Sequence, residues 1–334
     1  MKTGVLLINL GTPDSPSVSD VRKYLFQFLN DPRVIDIPWL ARTLLVNLII
    51  VPFRAPKSAK IYKELWTEKG SPLLIYGNEL KEKVQAELGS EYTVELAMRY
   101  QKPSIESVLA KMRKENYKKI VIIPLYPQYA SSSTGSTLEL VFKTIADWYV
   151  IPEIKVVSQF FDNEGYINAF VERGRQYNPD EYEHVIFSFH GLPVRQVDKV
   201  YEDRKLCSDH NCENEITDEN YYCYKASSFA TAKAIAERLN IPKDKYTVSF
   251  QSRLDEKWLE PFSDKVVEQK AKEGIKKMLV FSPAFVADCL ETTIEIGHEY
   301  SEIFKNNGGQ KLQLVESLNA HPVWVKTVAG MVKS

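Results

Sequence analysis

Short apolar runs alternate with longer amphipathic stretches along almost the whole chain. Runs dense in Val, Ile and Leu begin near Gly4, Thr93, Lys118, His184, Thr247 and Lys276. Between them lie stretches of helical spacing such as Ile105 to Asn116, Tyr166 to Arg175 and Ala226 to Leu239. Strands that are apolar throughout, rather than at every second position, belong to sheets covered on both faces. The pattern therefore predicts parallel sheets flanked by helices.

Three of these blocks occur twice, in the same order. Gly4 to Pro13 matches His184 to Pro193, each an apolar strand followed by x-Gly-x-Pro. Thr93-Val94 with Arg99 matches Thr247-Val248 with Arg253 at the same internal spacing, and Lys118 to Pro124 matches Lys276 to Pro283. Repetition in register predicts a duplicated βαβ architecture. The fold class is accordingly α/β: two similar doubly wound (Rossmann- or flavodoxin-like) halves with parallel sheets, residues 1–160 and 161–334, and a cleft between them. Ligands of such sheets sit outside the carboxyl ends of strands where strand order reverses. Leu10 stands in the first half where His190 stands in the second, so the chemistry is expected mainly from the second half.

One segment breaks the rhythm. From Ile37 to Phe53 the chain is almost entirely apolar, and Arg54, Lys57 and Lys60 follow. A spanning helix needs about 20 apolar residues, and this run is shorter and interrupted by Arg42 and Asn47. It reads either as a buried helix or as an interfacial lip with a basic edge against lipid headgroups. The 334 residues suit two domains with ample core, and a formal net charge of -1 with 44% hydrophobic residues gives no reason to expect a nucleic-acid partner. Met1-Lys2-Thr3-Gly4 enters a strand directly, without a signal-peptide cleavage region, and cysteine usage is not that of a secreted scaffold. A cytoplasmic protein is expected, peripheral at the inner face of the plasma membrane if the lip meets lipid.

Candidate chemistry centres on His190, which closes the run Val185 to Phe189 and precedes Gly191-Leu192-Pro193. A nitrogen base is thereby fixed at a strand tip. A hundred residues later Glu291, Glu295 and Glu299 recur at i, i+4, i+8, one face of an α-helix, with Asp288 just before them. Like charges so placed repel, so a helix that keeps them uses them on a cation or on protons. Neither G-x-G-x-x-G nor G-x-x-x-x-G-K-[ST] is present, which removes the usual phosphate-cofactor readings. Ser131 to Ser136 reads as a turn that binds an anion or caps the following helix.

Across nearly its whole length the chain resembles the ferrochelatases, the bacterial protoporphyrin type most closely. The resemblance is carried by Asn9 to Pro13, Gly70-Ser71-Pro72, Met98-Arg99-Tyr100, Tyr126 to Tyr129 with Ser133-Thr134-Gly135, and Ser188 to Pro193. It continues through Gln251-Ser252-Arg253, Trp258-Leu259, Pro283-Ala284-Phe285 with Asp288 to Thr292, and Glu316 to Asn319. It implies a chelatase-like fold that inserts ferrous iron, as substrate, into protoporphyrin IX with loss of two protons. By the same resemblance His190 and Glu291 are the metal-binding and catalytic pair, with Glu295 and Asp288 beside them. Leu10, Tyr126, Ser133 and Trp258 would face the porphyrin, Arg99 and Tyr100 would sit near it, and the run from Ile37 to Phe53 would form its lip. Chemistry makes a matching demand: the pyrrole protons must leave before the ring nitrogens can ligate iron, and a neutral imidazole is a suitable acceptor near neutrality. An apolar Leu10 with an intact Tyr-Pro-Gln-Tyr favours protoporphyrin over coproporphyrin. A coproporphyrin or cobalt chelatase, and a tetrapyrrole carrier without turnover, are the alternatives.

Cys207, Cys212 and Cys223 lie in a polar insert from Tyr201 to Tyr224. Some bacterial ferrochelatases carry a [2Fe–2S] cluster on cysteines of this region. Such a cluster takes four thiolates and three are here, with His210 or an acid the candidate fourth ligand. Zinc on three cysteines and one histidine is the rival, and three free thiols the third possibility.

Overall fold

The structure, a computed structural model, describes residues 2–202, 207 and 211–334. The chain divides into two compact units. One holds Met1–Tyr126, Ser131–Gln159 and Val325–Ser334; the other holds Pro127–Ala130 and Phe160–Trp324. The division differs from a simple cut near residue 160 because the last helix, Pro322–Lys333, finishes in the first unit. Lys155 donates to the Met331 carbonyl there at 2.9 Å, and Val328, Ala329, Met331 and Val332 are buried.

Each unit is organised on a four-stranded, wholly parallel sheet. The first contains β1 (Thr3–Gly11), β2 (Tyr92–Tyr100), β3 (Lys119–Pro124) and β4 (Glu153–Val156), in the order β2-β1-β3-β4. The second contains β5 (His184–His190), β6 (Tyr246–Gln251), β7 (Lys277–Phe281) and β8 (Lys311–Leu314), in the order β6-β5-β7-β8. The two orders are the same, as the sequence repeat requires. Val5 to Ile8 are fully buried, and helices pack on the sheet through Leu109, Met112 and Val141 in one unit and Val267, Ile296 and Phe304 in the other. Burying each such side chain stabilises by roughly 1.5–3 kcal/mol, which is why the strands are apolar on both faces. Strand order reverses between β1 and β3 and again between β5 and β7. The carboxyl ends there carry Leu10 and Tyr126 in one unit, and His190 and the segment after Phe281 in the other.

The repeat is not a perfect copy. Gly4 pairs with Ile120 and His184 with Met278, so the central pairing is the same in both units. On the other side Gly4 pairs with Thr93, whereas it is Ile186, not His184, that pairs with Thr247. The outer strand β6 has therefore slid by two residues. An even slide keeps every side chain on its face of the sheet. It sets Gln251 opposite His190 and carries Arg253 past the strand end, where it pairs with Asp264 and lies over the Phe262 ring at 4.1 Å.

Two equivalent glycines close β1 and β5 against these partners. A Cβ on Gly11 would stand 2.0 Å from the Tyr100 carbonyl oxygen, and Gly11 has φ +114°. A Cβ on Gly191 would stand 2.8 Å from the Gln251 carbonyl oxygen, to which the Gly191 N–H donates at 2.7 Å. In both places the missing side chain lets the neighbouring strand approach.

The apolar segment is neither buried nor short. A continuous helical stretch runs from Trp39 to Leu65, 27 residues, long and apolar enough to cross a membrane by length and composition, with 22% of its most apolar window buried. Val46, Val51, Ala55, Ala59 and Tyr62 face the unit, where Tyr62 meets Tyr24 edge-on at 6.2 Å. Trp39, Leu40, Leu44, Leu48, Ile49 and Phe53 are exposed, Phe53 to 73%. The buried-helix expectation fails because one face alone is covered.

His184, buried at the start of β5, places Nε2 2.9 Å from the Thr247 hydroxyl, and burial pulls its pKa down to about 4. The folded protein therefore keeps a neutral imidazole where the unfolded chain, titrating near about 6.5, takes up a proton. Stability is full above about pH 6.5 and is progressively lost as pH falls toward 4. Thermal unfolding between pH 7 and pH 4 is expected to show this slope, and His184→Gln to flatten it. An unchanged slope in the variant would contradict the assignment.

Candidate active site

His190 ends β5 with its ring half-buried. Its Nδ1 lies 2.7 Å from the Gly191 carbonyl oxygen. A carbonyl can only accept, so Nδ1 carries a proton, and the lone pair of the neutral imidazole is the one on Nε2. Trp258 and Phe285 wall the imidazole, with ring centroids at 6.5 and 6.3 Å. The backbone of His190 hydrogen-bonds the buried phenol of Tyr224, whose pKa is raised by that burial.

The acids occupy a π-helix, Glu291–Tyr300, rather than the α-helix expected. Backbone bonds of the i→i+5 kind are rare and cluster at functional sites. Two further π-helical turns, Leu45–Ile50 and Ser131–Gly135, fall in segments expected to face the porphyrin. Glu291 opens the acidic helix, half-buried, and its carboxylate receives the thiol of Cys289. Burial first, and then the Glu291 charge, raise the pKa of that thiol well above its usual value. Glu295 is held tightly: the Ser252 N–H and the Tyr300 hydroxyl donate to it at 2.8 Å, the Gln251 amide at 3.4 Å, and the Ser252 hydroxyl also donates. Burial, with Glu295 beside it, raises the Tyr300 pKa. Glu299 is exposed.

Asp288 turns out to be an anchor. It accepts from the Ser317 N–H at 3.1 Å, the Thr292 hydroxyl at 3.3 Å and the Asn319 amide at 2.7 Å, while its own N–H donates to Asn319 Oδ1 at 2.9 Å. Its contacts hold the start of the π-helix, which fits positioning better than proton exchange.

Gln251 draws these pieces together. It is 1% exposed and pairs with His190 across the sheet. Its amide oxygen accepts from Ser188 at 2.7 Å, which fixes the amide's orientation, and its nitrogen donates to the Glu291 carbonyl at 3.0 Å. One buried amide thus joins the strand carrying the imidazole to the helix carrying the carboxylates. In the sequence Gln251 and Asn319 stand out only as marks of resemblance, because their partners lie 40 and 31 residues away in the chain.

In the first unit the remaining expected residues separate by burial. Leu10, Arg99, Tyr126 and Ser133 are half-buried. The Tyr126 hydroxyl lies 3.4 Å from that of Thr137, and burial raises its pKa. Tyr100 does not present its side chain: it is 2% exposed and its hydroxyl is committed to Asp31 at 2.9 Å. Ser131 accepts from Arg33 at 2.9 Å, so this end of the serine turn already has a cation.

Cys207, Cys212 and Cys223 are buried rather than displayed on an open loop. Cys212 shares thiol hydrogen bonds with both of the others; the Cys207 pKa is lowered by its bond to Cys212, the Cys212 pKa is pushed up to about 11, and the Cys223 pKa is raised by Cys212 and by burial. His210 lies outside the described residues. Among the described residues, no group of three or more His, Cys, Asp or Glu is placed to hold a metal ion.

Known proteins similar to this chain show its family. The family model described as Ferrochelatase matches residues 2–334. The chain is 44% identical to a ferrochelatase of Coxiella burnetii (strain CbuK_Q154), over 99% of this chain and 93% of that one. It is 42% identical to a ferrochelatase of Pseudomonas putida, over 98% and 97% of the two chains, and 41% identical to one of Legionella pneumophila (strain Lens), over 99% of each. Among solved structures it is similar in fold to SirB from Bacillus subtilis with Fe3+, with a TM-score of 0.59 at 13% identity over 100% of this chain and 95% of that one. It is likewise similar to CbiX, the terminal enzyme of sirohaem biosynthesis in denitrifying bacteria, with a TM-score of 0.50 at 11% identity over 99% and 98% of the chains. At such identities the last two speak for the chelatase fold alone.

Proposed function

The chain belongs to the ferrochelatase family, lyases that insert ferrous iron into protoporphyrin in haem synthesis, and from that premise we propose how its residues divide the work. His190 Nε2 takes a pyrrole proton, since its other nitrogen is committed to the Gly191 carbonyl. Glu291 holds ferrous iron before transfer, its carboxylate being the less occupied of the two inner acids. Glu295, already gripped by several donors, orients the acidic column and passes protons outward toward Glu299. Asp288 and Gln251 position the π-helix. The observation that carries this division is the Gln251 bridge from the strand of His190 to the Glu291 backbone. Purified protein incubated without oxygen with protoporphyrin and Fe²⁺ should develop the haem spectrum. Faster turnover with coproporphyrin, or with Co²⁺, would reassign the substrate, and porphyrin binding with no turnover would make it a carrier.

The exposed apolar face of Trp39–Leu65, with Arg54, Lys57 and Lys60 exposed beside it, supports peripheral contact with an anionic leaflet, for a cytoplasmic protein at the inner face of the plasma membrane. Because the opposite face packs into the first unit, the helix lies on the membrane rather than across it. Flotation with anionic vesicles is expected to fall by about tenfold or more in Leu48→Glu/Phe53→Glu, since each buried apolar side chain contributes roughly 1.5–3 kcal/mol. Undiminished flotation would count against the lip.

The [2Fe–2S] expectation meets a shortfall. Three buried thiols lie in this insert where a cluster takes four, the described residues do not set them as a group that could hold a metal ion, and Cys289 is engaged elsewhere with Glu291. A zinc centre on the same three cysteines lacks its fourth donor among the described residues in the same way. No step of the reaction is routed through these cysteines.

A further inference from the structure

At the foot of the Trp39–Leu65 helix lies a buried acid that no sequence motif marks. The Asp31 side chain is 3% exposed. Its Oδ2 receives Arg99 Nη2 at 2.6 Å, the Tyr100 hydroxyl at 2.9 Å and the Ser136 hydroxyl at 2.5 Å. Its Oδ1 receives the Arg33 N–H at 2.8 Å, and its carbonyl receives the N–H groups of Val34 and Ile35, both at 3.0 Å. Arg99 in turn donates from Nε to the Ser136 hydroxyl at 2.7 Å and lies 4.6 Å from the centre of the Tyr100 ring.

The neighbouring residues extend the same grip into the apolar helix. Asn30 donates to Asn47, in its π-turn, at 2.9 Å, and Arg42 donates back to the carbonyls of Ile35 and Ile37 at 3.3 and 3.2 Å. A single carboxylate therefore fixes three segments of the first unit: the entry to the lip, the end of β2, and the helix that continues the Ser131–Gly135 turn. Bonds to a charged, water-excluded acceptor are the strong kind, and removing the charge leaves a largely buried guanidinium without its counter-ion.

We propose that Asp31 is a positioning residue for porphyrin binding, setting the Arg99 guanidinium and seating the lip without itself touching the substrate. This rests on the reading of Arg99 and the lip as porphyrin-facing. Asp31→Asn keeps the shape, removes the charge and turns an amide toward donors. In steady-state assays it is expected to raise KM for protoporphyrin about tenfold, with kcat within about threefold and KM for Fe²⁺ unchanged, a loss equivalent to one charge-assisted bond. Asp31→Glu, which restores the charge, should recover part of the shift, as stability alone would not require. If Asp31→Asn does not fold, Ser136→Ala, which removes the hydroxyl's bond to Asp31 and the one it accepts from Arg99 but leaves the Asp31–Arg99 pair, should raise the same KM about threefold. An unchanged porphyrin KM in these variants, beside a raised one in Arg99→Ala, overturns the inference alone. An unchanged KM in Arg99→Ala as well overturns the reading beneath it.

Discussion

Substituting His190 by alanine is expected to lower haem formation by about a thousandfold or more, while porphyrin binding, followed by quenching of its fluorescence, stays within about threefold. The expectation follows from the wiring of the ring. Nδ1 is committed to the Gly191 carbonyl, so the imidazole has a single tautomer and one available lone pair. The neighbouring side chains cannot stand in for it. Trp258 and Phe285 are apolar walls, and the Cys289 thiol is buried and bound to Glu291. The walls survive the substitution, so the apolar macrocycle still binds. Added imidazole should restore part of the lost rate. A variant that retains a tenth of wild-type turnover would refute the assignment of the base.

The second large effect is expected at Glu291. Glu291→Gln keeps volume and removes charge, and kcat should fall about a hundredfold with a raised KM for Fe²⁺, the cost of roughly 3 kcal/mol of transition-state stabilisation. Glu295→Gln should differ in kind. Its oxygens already serve Ser252, Tyr300 and Gln251, and an amide oxygen can still accept from part of that set. A rate loss of about tenfold accompanied by a clear fall in melting temperature is expected there. Should Glu295→Gln prove the more damaging to turnover, with iron KM untouched in Glu291→Gln, the two acids have been assigned in the wrong order.

The parts of this molecule that could be read from its residues are those governed by local chemistry. Apolar runs at Val5 to Ile8 and Val185 to Phe189 announce doubly covered strands, and the repeat announces one strand order used twice. His190 and Glu291 could be singled out because a column of like charges is costly without a use, and the family resemblance points to the pair. What escaped depends on partners distant in sequence. Asp31 sits before a proline in an unremarkable turn, and its donors are 68, 69 and 105 residues away. Asp288 looked like one more acid of the stripe until Asn319 and the Ser317 backbone claimed it. The π-helix was invisible because i, i+4 spacing shares a face in an α-helix, and nothing in the residue pattern reports which backbone bonds close. Tyr100 was expected near the porphyrin, yet its ring faces inward among Tyr24, Phe28 and Arg99.

The two-residue offset of β6 bears on how one half could become the working half. A duplicated strand that moves by two leaves inside positions inside, so the copy can adopt the offset without surrendering its core. What changes is confined to the rim, where the guanidinium inherited at Arg253 is carried beyond the imidazole and a neutral amide arrives in its place. Two sheets of one strand order can thus be made different by translation alone, one keeping a guanidinium at its rim and the other setting a neutral amide beside the imidazole.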